Sequence, residues 1–205
     1  MPKQTFFNLP DDKKERIINA AYDIFINMDY EDVDIRTITK KAGISIGSFY
    51  QYFHDKDDLY LYLMSNIEKK IYNKAKENIN YFLMEDDSTP LEEICTPKEI
   101  EFNRTWYRAP VEVMMKFYFG EYSKELNKDV MEELKELQDS GKIKTSVDLD
   151  FIFYIYSTSM FNILMYFKEN NISDEEQRYT MKRKFYTDWF LKGIISETSE
   201  ALASS

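Results

Sequence analysis

Between residues 11 and 28, Ile17, Ile18, Ala21, Tyr22, Phe25 and Met28 recur three or four apart among charged residues. That period predicts an amphipathic helix of roughly five turns. Pro10-Asp11-Asp12 supplies its start, with acids at the positive end of the helix dipole. Asp29 to Asp32 breaks the pattern, and Asp34 can cap a second, shorter helix carrying Ile35, Ile38 and Ala42. Gly43 can take the left-handed conformation that ends it. Ile44 plugs the corner, and Ser45 offers an N-cap oxygen to a third helix. That helix buries Phe49 and Phe53, one turn apart, and is expected to face Ile46, Gly47, Ser48, Tyr50, Gln51 and Tyr52 outward. Asp55 then opens a long helix expected to reach about Met84, with Leu59, Leu63, Ile67, Ile71, Ala75 and Ile79 down one face.

Downstream, the pattern is interrupted at Glu85–Pro90 and again at Pro97 and Pro110, which predicts short helices separated by kinks. Helical spacing resumes over 111–138, with Gly120 a tolerated break, and stops at Ser140-Gly141. Residues 149–167 are strongly apolar and aromatic, 170–174 read as a turn, and 175–196 as a last helix. The final Ser-Glu-Ala-Leu-Ala-Ser-Ser is expected to fray.

Residues 34–56 stack the requirements of a helix-turn-helix. Two outward tyrosines and an outward isoleucine are wasteful on a solvated helix, and they make sense on a face that meets a partner. Gly47 has no side chain to keep a partner's backbone away. Such a helix fits the major groove of double-stranded DNA. The alternative, an aromatic helix packed on another part of the chain, leaves Gly47 unexplained.

Composition narrows the picture. With 43% hydrophobic and 31% charged residues but only 5 Gly and 5 Pro, the chain suits a helical globular protein better than an all-β one. The fold class expected is all-α. Met1 to Leu9 lacks the basic-then-apolar pattern of a signal segment, and no apolar run is long enough for a membrane. A lone Cys95 permits no internal disulfide, and a cytoplasmic home follows. His54 is the only histidine, so neither a Cys/His metal cluster nor a Ser/His/Asp set can be assembled. No catalytic residue, metal or cofactor is expected. The net charge of −10 opposes DNA binding through bulk field. Arg36, Lys40, Lys41 and Lys56 lie close to the reader, and local charge outweighs remote charge beyond a Debye length of about 8 Å. Weak non-specific affinity should follow.

Residues 10–64 resemble the TetR (tetracycline-repressor) family of transcriptional regulators. The likeness rests on Ala-Tyr-Asp-Ile-Phe at the end of the first helix, then Asp-Ile-Arg-Thr-Ile, then Ala-Gly-Ile-Ser-Ile-Gly-Ser-Phe-Tyr-Gln-Tyr-Phe-His-Asp-Lys-Asp-Asp-Leu. Asp34 stands where the family has Ser or Thr, and Ile46 where it is often polar. The resemblance implies a DNA-binding domain over 1–55 and a helical effector-binding and dimerisation domain over 56–205. It places Ile46, Gly47 and Ser48 at the base-facing start of the recognition helix, and Ser45 is counted with them among the DNA-binding residues. Tyr50, Gln51 and Tyr52 would touch phosphates and base edges, Arg36 and Thr37 would lie near the groove, and Lys56 would hold a phosphate. Partners implied are operator DNA, a small effector and a second copy bound through the last two helices.

Ring and methionine side chains crowd the second half of the chain, and imperfect packing among them commonly leaves adaptable apolar pockets. An effector cavity of at least about 300 Å³ is expected among Trp106, Tyr107, Met114, Phe117, Tyr118, Tyr154 and Phe161. Two rival readings fit the sequence. An effector-independent dimeric DNA-binding protein would have a filled core there, and a helical enzyme would need a titrating constellation.

Overall fold

Helices supply the regular structure of the residues that the computed structural model describes, 1–78 and 91–195. The exception among them is an isolated bridge between Ile143 and Ile195. The all-α expectation holds. The expected stretch to Met84, the interruption at 85–90 and the fraying C-terminus lie outside the described residues. Residues 1–74 and 91–123 cluster as one compact unit, and 75–78 with 124–195 as another.

The first unit opens with α1 (Gln4–Phe7), a turn that the hydrophobic pattern did not predict. Next come α2 (Asp11–Asn27), a 3₁₀ turn (Tyr30–Asp32), α3 (Ile35–Ala42), α4 (Ile46–Tyr52) and the long α5 (Lys56–Asn78), which leaves this unit after Lys74. Short elements follow: α6 (Leu91–Ile94), α7 (Pro97–Arg104), a 3₁₀ turn (Thr105–Arg108), α8 (Val111–Tyr118) and a 3₁₀ turn (Glu121–Ser123). The two prolines act as helix starters rather than kinks. Pro97 opens α7 behind a Thr96/Glu99 capping box, and Pro110 precedes α8.

Rings build much of this unit's core. Tyr60 lies 5.0 Å from Phe25, 5.0 Å from Phe102 and 6.2 Å from Trp106, all between ring centroids. The buried Thr105 hydroxyl donates to the Phe102 carbonyl (2.7 Å). Its oxygen is therefore left to accept from the Tyr60 hydroxyl at 2.9 Å. Both buried hydroxyls are satisfied, which avoids an unmade hydrogen bond costing about 1–3 kcal/mol. Gly120 is more than a tolerated break. α8 has ended at Tyr118, and a Cβ at Gly120 would sit 2.1 Å from the Lys116 carbonyl oxygen.

In the second unit, α9 (Lys124–Asp139) packs on α10 (Leu149–Glu169), and Leu134 and Leu164 on these helices are buried. Gly141, at φ 77°, ends α9 in the left-handed region. Gln138 then holds the following loop by donating to the carbonyls of Lys144 (3.1 Å) and Val147 (2.9 Å). The last helix is not uniform. α11 (Glu175–Phe185) passes through a π-helical segment (Tyr186–Leu191) into α12 (Lys192–Ile194). Among the described residues no helix is long and apolar enough to cross a membrane, and no group of His, Cys, Asp or Glu could hold a metal ion.

Candidate nucleic-acid interface

The turn between α3 and α4 is built as its residue types require. Asp34 caps α3 by accepting from the Arg36 amide at 2.7 Å. Gly43 takes φ 67°, a conformation that costs an L-residue bearing a Cβ about 1–2 kcal/mol. The Ser45 hydroxyl accepts from the Ser48 amide (3.0 Å) and lies 2.9 Å from the Ser48 hydroxyl. Ile38, Phe49 and Phe53 are buried, fixing α4 by its inner face.

Of the predicted contact residues, Arg36, Ser45, Ile46, Gly47, Tyr50 and Gln51 are exposed, with Ile46 at 41% and Tyr50 at 48%, while Thr37 and Ser48 are half-buried. Tyr52 corrects the expectation. It is 5% exposed, its ring 6.4 Å from Phe6 with the Lys13 ammonium 5.6 Å above it. It faces inward because α1 supplies an apolar wall there. A Cβ on Gly47 would meet only the Ser45 hydroxyl at 3.8 Å, an ordinary contact, so internal packing does not demand glycine.

Lys56 also departs from expectation. Its ammonium donates to the carbonyls of Tyr30 (2.7 Å), Val33 (3.0 Å) and Glu31 (3.3 Å), and lies 4.8 Å from the Tyr30 ring centroid. Three carbonyls match the three donors of an ammonium. A phosphate contact would require giving up at least one of them. Of the four cations near the reader, Arg36, Lys40 and Lys41 are exposed, and Lys41 pairs with Asp23 at 3.2 Å.

Neighbouring acids at the start of α5 tie the reader to later elements of the same unit. Asp57 accepts from the Tyr30 hydroxyl (2.5 Å) and from Lys116 (2.5 Å). Burial alone would raise its pKa, but the hydrogen bonds from Lys116 and Tyr30 outweigh it and hold the carboxyl below its ordinary value. Burial and the facing Asp57 push the Tyr30 phenol up. Asp58, buried, accepts from the His54 amide at 2.9 Å and from the Tyr122 hydroxyl. Asp23 receives Lys98 at 2.7 Å as well as Lys41, joining α2 to α3 and α7.

Residues 17–63 match the sequence model of the bacterial regulatory proteins of the tetR family. Over that stretch the chain is similar to the TetR family. Over 59 residues it is 36% identical to the HTH-type transcriptional regulator HbdR of Aromatoleum sp. (strain CIB), covering 29% of this chain and 26% of that one. Over 77 residues it is 27% identical to the HTH-type transcriptional regulator PksA of Bacillus subtilis (strain 168), covering 38% of this chain and 36% of the relative. These alignments thus span about a quarter to a third of the relatives' length. Likeness of fold extends further. The fatty acid degradation regulator FadR from Bacillus halodurans superposes with a TM-score of 0.54 over 91% of this chain and 98% of its own, at 16% identity.

The predicted effector residues divide between the units. Trp106, Tyr107, Met114, Phe117 and Tyr118 belong to the first, where Trp106 packs 5.2 Å from Phe117 and 6.4 Å from Tyr118. A void of about 10 Å³ beside this cluster, lined by Phe25, Met28, Tyr30, Tyr60, Thr105 and Arg108, has room for no more than a water. Tyr154, 64% exposed, and Phe161 lie on α10 in the second unit. That unit holds an open groove of about 450 Å³ between α10 and the last helix, floored by Ile163, Phe167 and Phe185 and edged by Tyr166, Lys184 and Trp189. None of the seven predicted effector residues lines it.

Proposed function

We propose that the chain is a cytoplasmic, non-enzymatic transcriptional regulator that binds operator DNA as a homodimer, most simply a repressor released by a small effector. The observation that carries the DNA-binding reading is the outer face of α4. Ile46, Gly47, Tyr50 and Gln51 are exposed on a short helix capped at its start and clamped by two buried phenylalanines. At Gly47 the fold has room for a side chain and the sequence supplies none, as a surface needs where another backbone comes close. Ile46 would meet a thymine methyl, while Ser48 and Gln51 can hydrogen-bond base edges.

Residues 1–55 would read DNA, and the helices from 56 onward would receive the effector and pair the two copies. Phe151, Tyr154, Ile155 and Tyr166 on α10, with Tyr179, Met181 and Trp189 of the last helix, leave large apolar side chains exposed in the second unit. A surface of that kind is expected where a partner covers it. Two such heads would engage successive major grooves. An effector would release the operator only by binding the DNA-incompetent state better.

An effector-independent regulator is the second reading, favoured by the ring packing around Trp106 and Phe117. Duplex selection from a random library tests DNA binding, and a panel of aromatic cations, neutral lipophiles and fatty acids tests the effector. A selected motif with two-fold symmetry is the expected result, with at least one compound class weakening its binding. Failure to enrich any sequence refutes the regulator, and a motif indifferent to every compound favours the second reading.

A further inference from the structure

The recognition helix has no C-terminal cap of its own. After Tyr52 the chain leaves α4 through Phe53 in extended conformation (φ −129°, ψ 154°), so no left-handed residue folds back on the final carbonyls. The carbonyls of Tyr50, Gln51 and Tyr52 are satisfied from the other end of the head. The Lys3 ammonium donates to Tyr50 (2.7 Å), the Thr5 hydroxyl to Gln51, and the Lys3 amide to Tyr52 (2.8 Å). Phe6 anchors this segment, fully buried, with ring centroids 4.8 Å from Phe53 and 5.5 Å from Tyr62.

A helix of seven residues lies far below the length that is stable in water without outside support. Its start is held locally by Ser45, and its end by residues 46 and 47 positions upstream. The residues whose carbonyls are capped include Tyr50 and Gln51, whose side chains form the exposed far half of the reading face. Phosphate contacts tolerate small displacements because they carry no sequence information, whereas contacts to base edges do not.

From this arrangement we infer that Lys3 and Thr5 are positioning residues for DNA reading, holding the last turn of α4 so that Tyr50 and Gln51 meet the operator in one geometry. The inference rests on the DNA-binding function proposed above. It assigns residues 3–6 to the reading head, a segment that the helix-turn-helix pattern does not include.

The test compares the wild-type chain with Lys3→Met/Thr5→Val, Thr5→Val alone and Lys3→Arg, on a duplex selected by the wild type and on a random-sequence duplex pool. Two lost hydrogen bonds of ordinary strength predict about tenfold weaker binding of the selected duplex by the double variant. Binding of the random pool should change less than about threefold, since the loss of a single positive charge leaves most of the electrostatic attraction in place. Lys3→Arg, which can still donate to the Tyr50 carbonyl, should restore most of the affinity. Hydrogen exchange at residues 50–53 should speed up in the double variant, while exchange in α5 stays as in the wild type. Equal binding of the selected duplex by variant and wild type overturns the inference. So does an equal loss on both DNAs, which would make Lys3 a plain phosphate contact. If the wild type binds no duplex, the function proposed above fails by itself, and unchanged exchange at 50–53 then overturns the inference independently.

Discussion

Trp189 is the most exposed large apolar side chain among the described residues, at 73%, on the edge of the α10 groove. A tryptophan can bury about 250 Å², so roughly 180 Å² of this one awaits cover. At about 25 cal/mol per Å² that area is worth about 4.5 kcal/mol. Ordering the side chain and imperfect desolvation remove about half on association, leaving about 2 kcal/mol per copy. A two-fold interface contains each residue twice, so Trp189→Ala should cost about 4 kcal/mol, close to a thousandfold in the dimer dissociation constant. The monomer fold should be little affected, because the ring's main partner within the chain is Phe185 at 6.1 Å. Sedimentation equilibrium over a range of concentrations would measure the shift between a 24.6 kDa monomer and its dimer, with circular dichroism confirming the helices. A wild type that stays monomeric at micromolar concentration, or a variant with the wild-type dissociation constant within threefold, refutes the assignment of this face to a second copy.

Gly47→Ala separates fold from function. Helix propensity should make the variant up to about 1 kcal/mol more stable in thermal melts, while its binding to the selected duplex falls at least tenfold if a DNA backbone approaches there; a variant that binds like wild type removes the close-approach argument. Ser45→Ala should cost about 1 kcal/mol through the lost cap, read as a lower melting temperature with a steeper loss in α4 protection than elsewhere. Asp57→Asn should cost about 1–2 kcal/mol by weakening the Lys116 and Tyr30 hydrogen bonds. The carboxyls of Asp57 and Glu99 titrate below their ordinary values of 3.8 and 4.5, against the opposing push of burial, because Lys116 and Lys70 respectively hydrogen-bond them. A lowered folded-state pKa gives stability that is present above the unfolded value and lost as pH falls through the folded one. Wild-type stability should therefore drop as pH falls below about 4, and the penalty of Asp57→Asn should vanish there; a penalty independent of pH would show that the charge contributes nothing.

The reading head was legible because each of its requirements is local. Asp34, Gly43, Ser45, Phe49 and Phe53 act within one turn of themselves, and all five behave as their residue types predict. The surroundings of Tyr52 and Lys56 are not legible in the local pattern because they come from elsewhere in the chain. Tyr52 is covered by Phe6 and Lys13, and Lys56 reaches carbonyls 23 to 26 residues upstream. Hydrophobic spacing over Lys3–Leu9 is too short to show a helical period, so α1 left no signal of that kind. Ring density, the sequence signal for an effector cavity, does not distinguish a ring that lines a cavity from one that fills it. Trp106 and Phe117 are of the second sort in this structure.

The π-helical segment at Tyr186–Leu191 has a consequence for comparison between relatives. Such a segment takes one residue more than an α-helix over the same turn, and each α-helical residue turns the axis by about 100°. Everything after Leu191 is therefore re-phased by one position, including Ile194, buried, and Ile195, bridged to Ile143. An alignment to a relative whose last helix is α-helical throughout needs a single-residue gap between 186 and 191. Without it, every position beyond that point would be assigned a direction about 100° from its own, and a family consensus grafted across the segment would misplace Ile194 and Ile195.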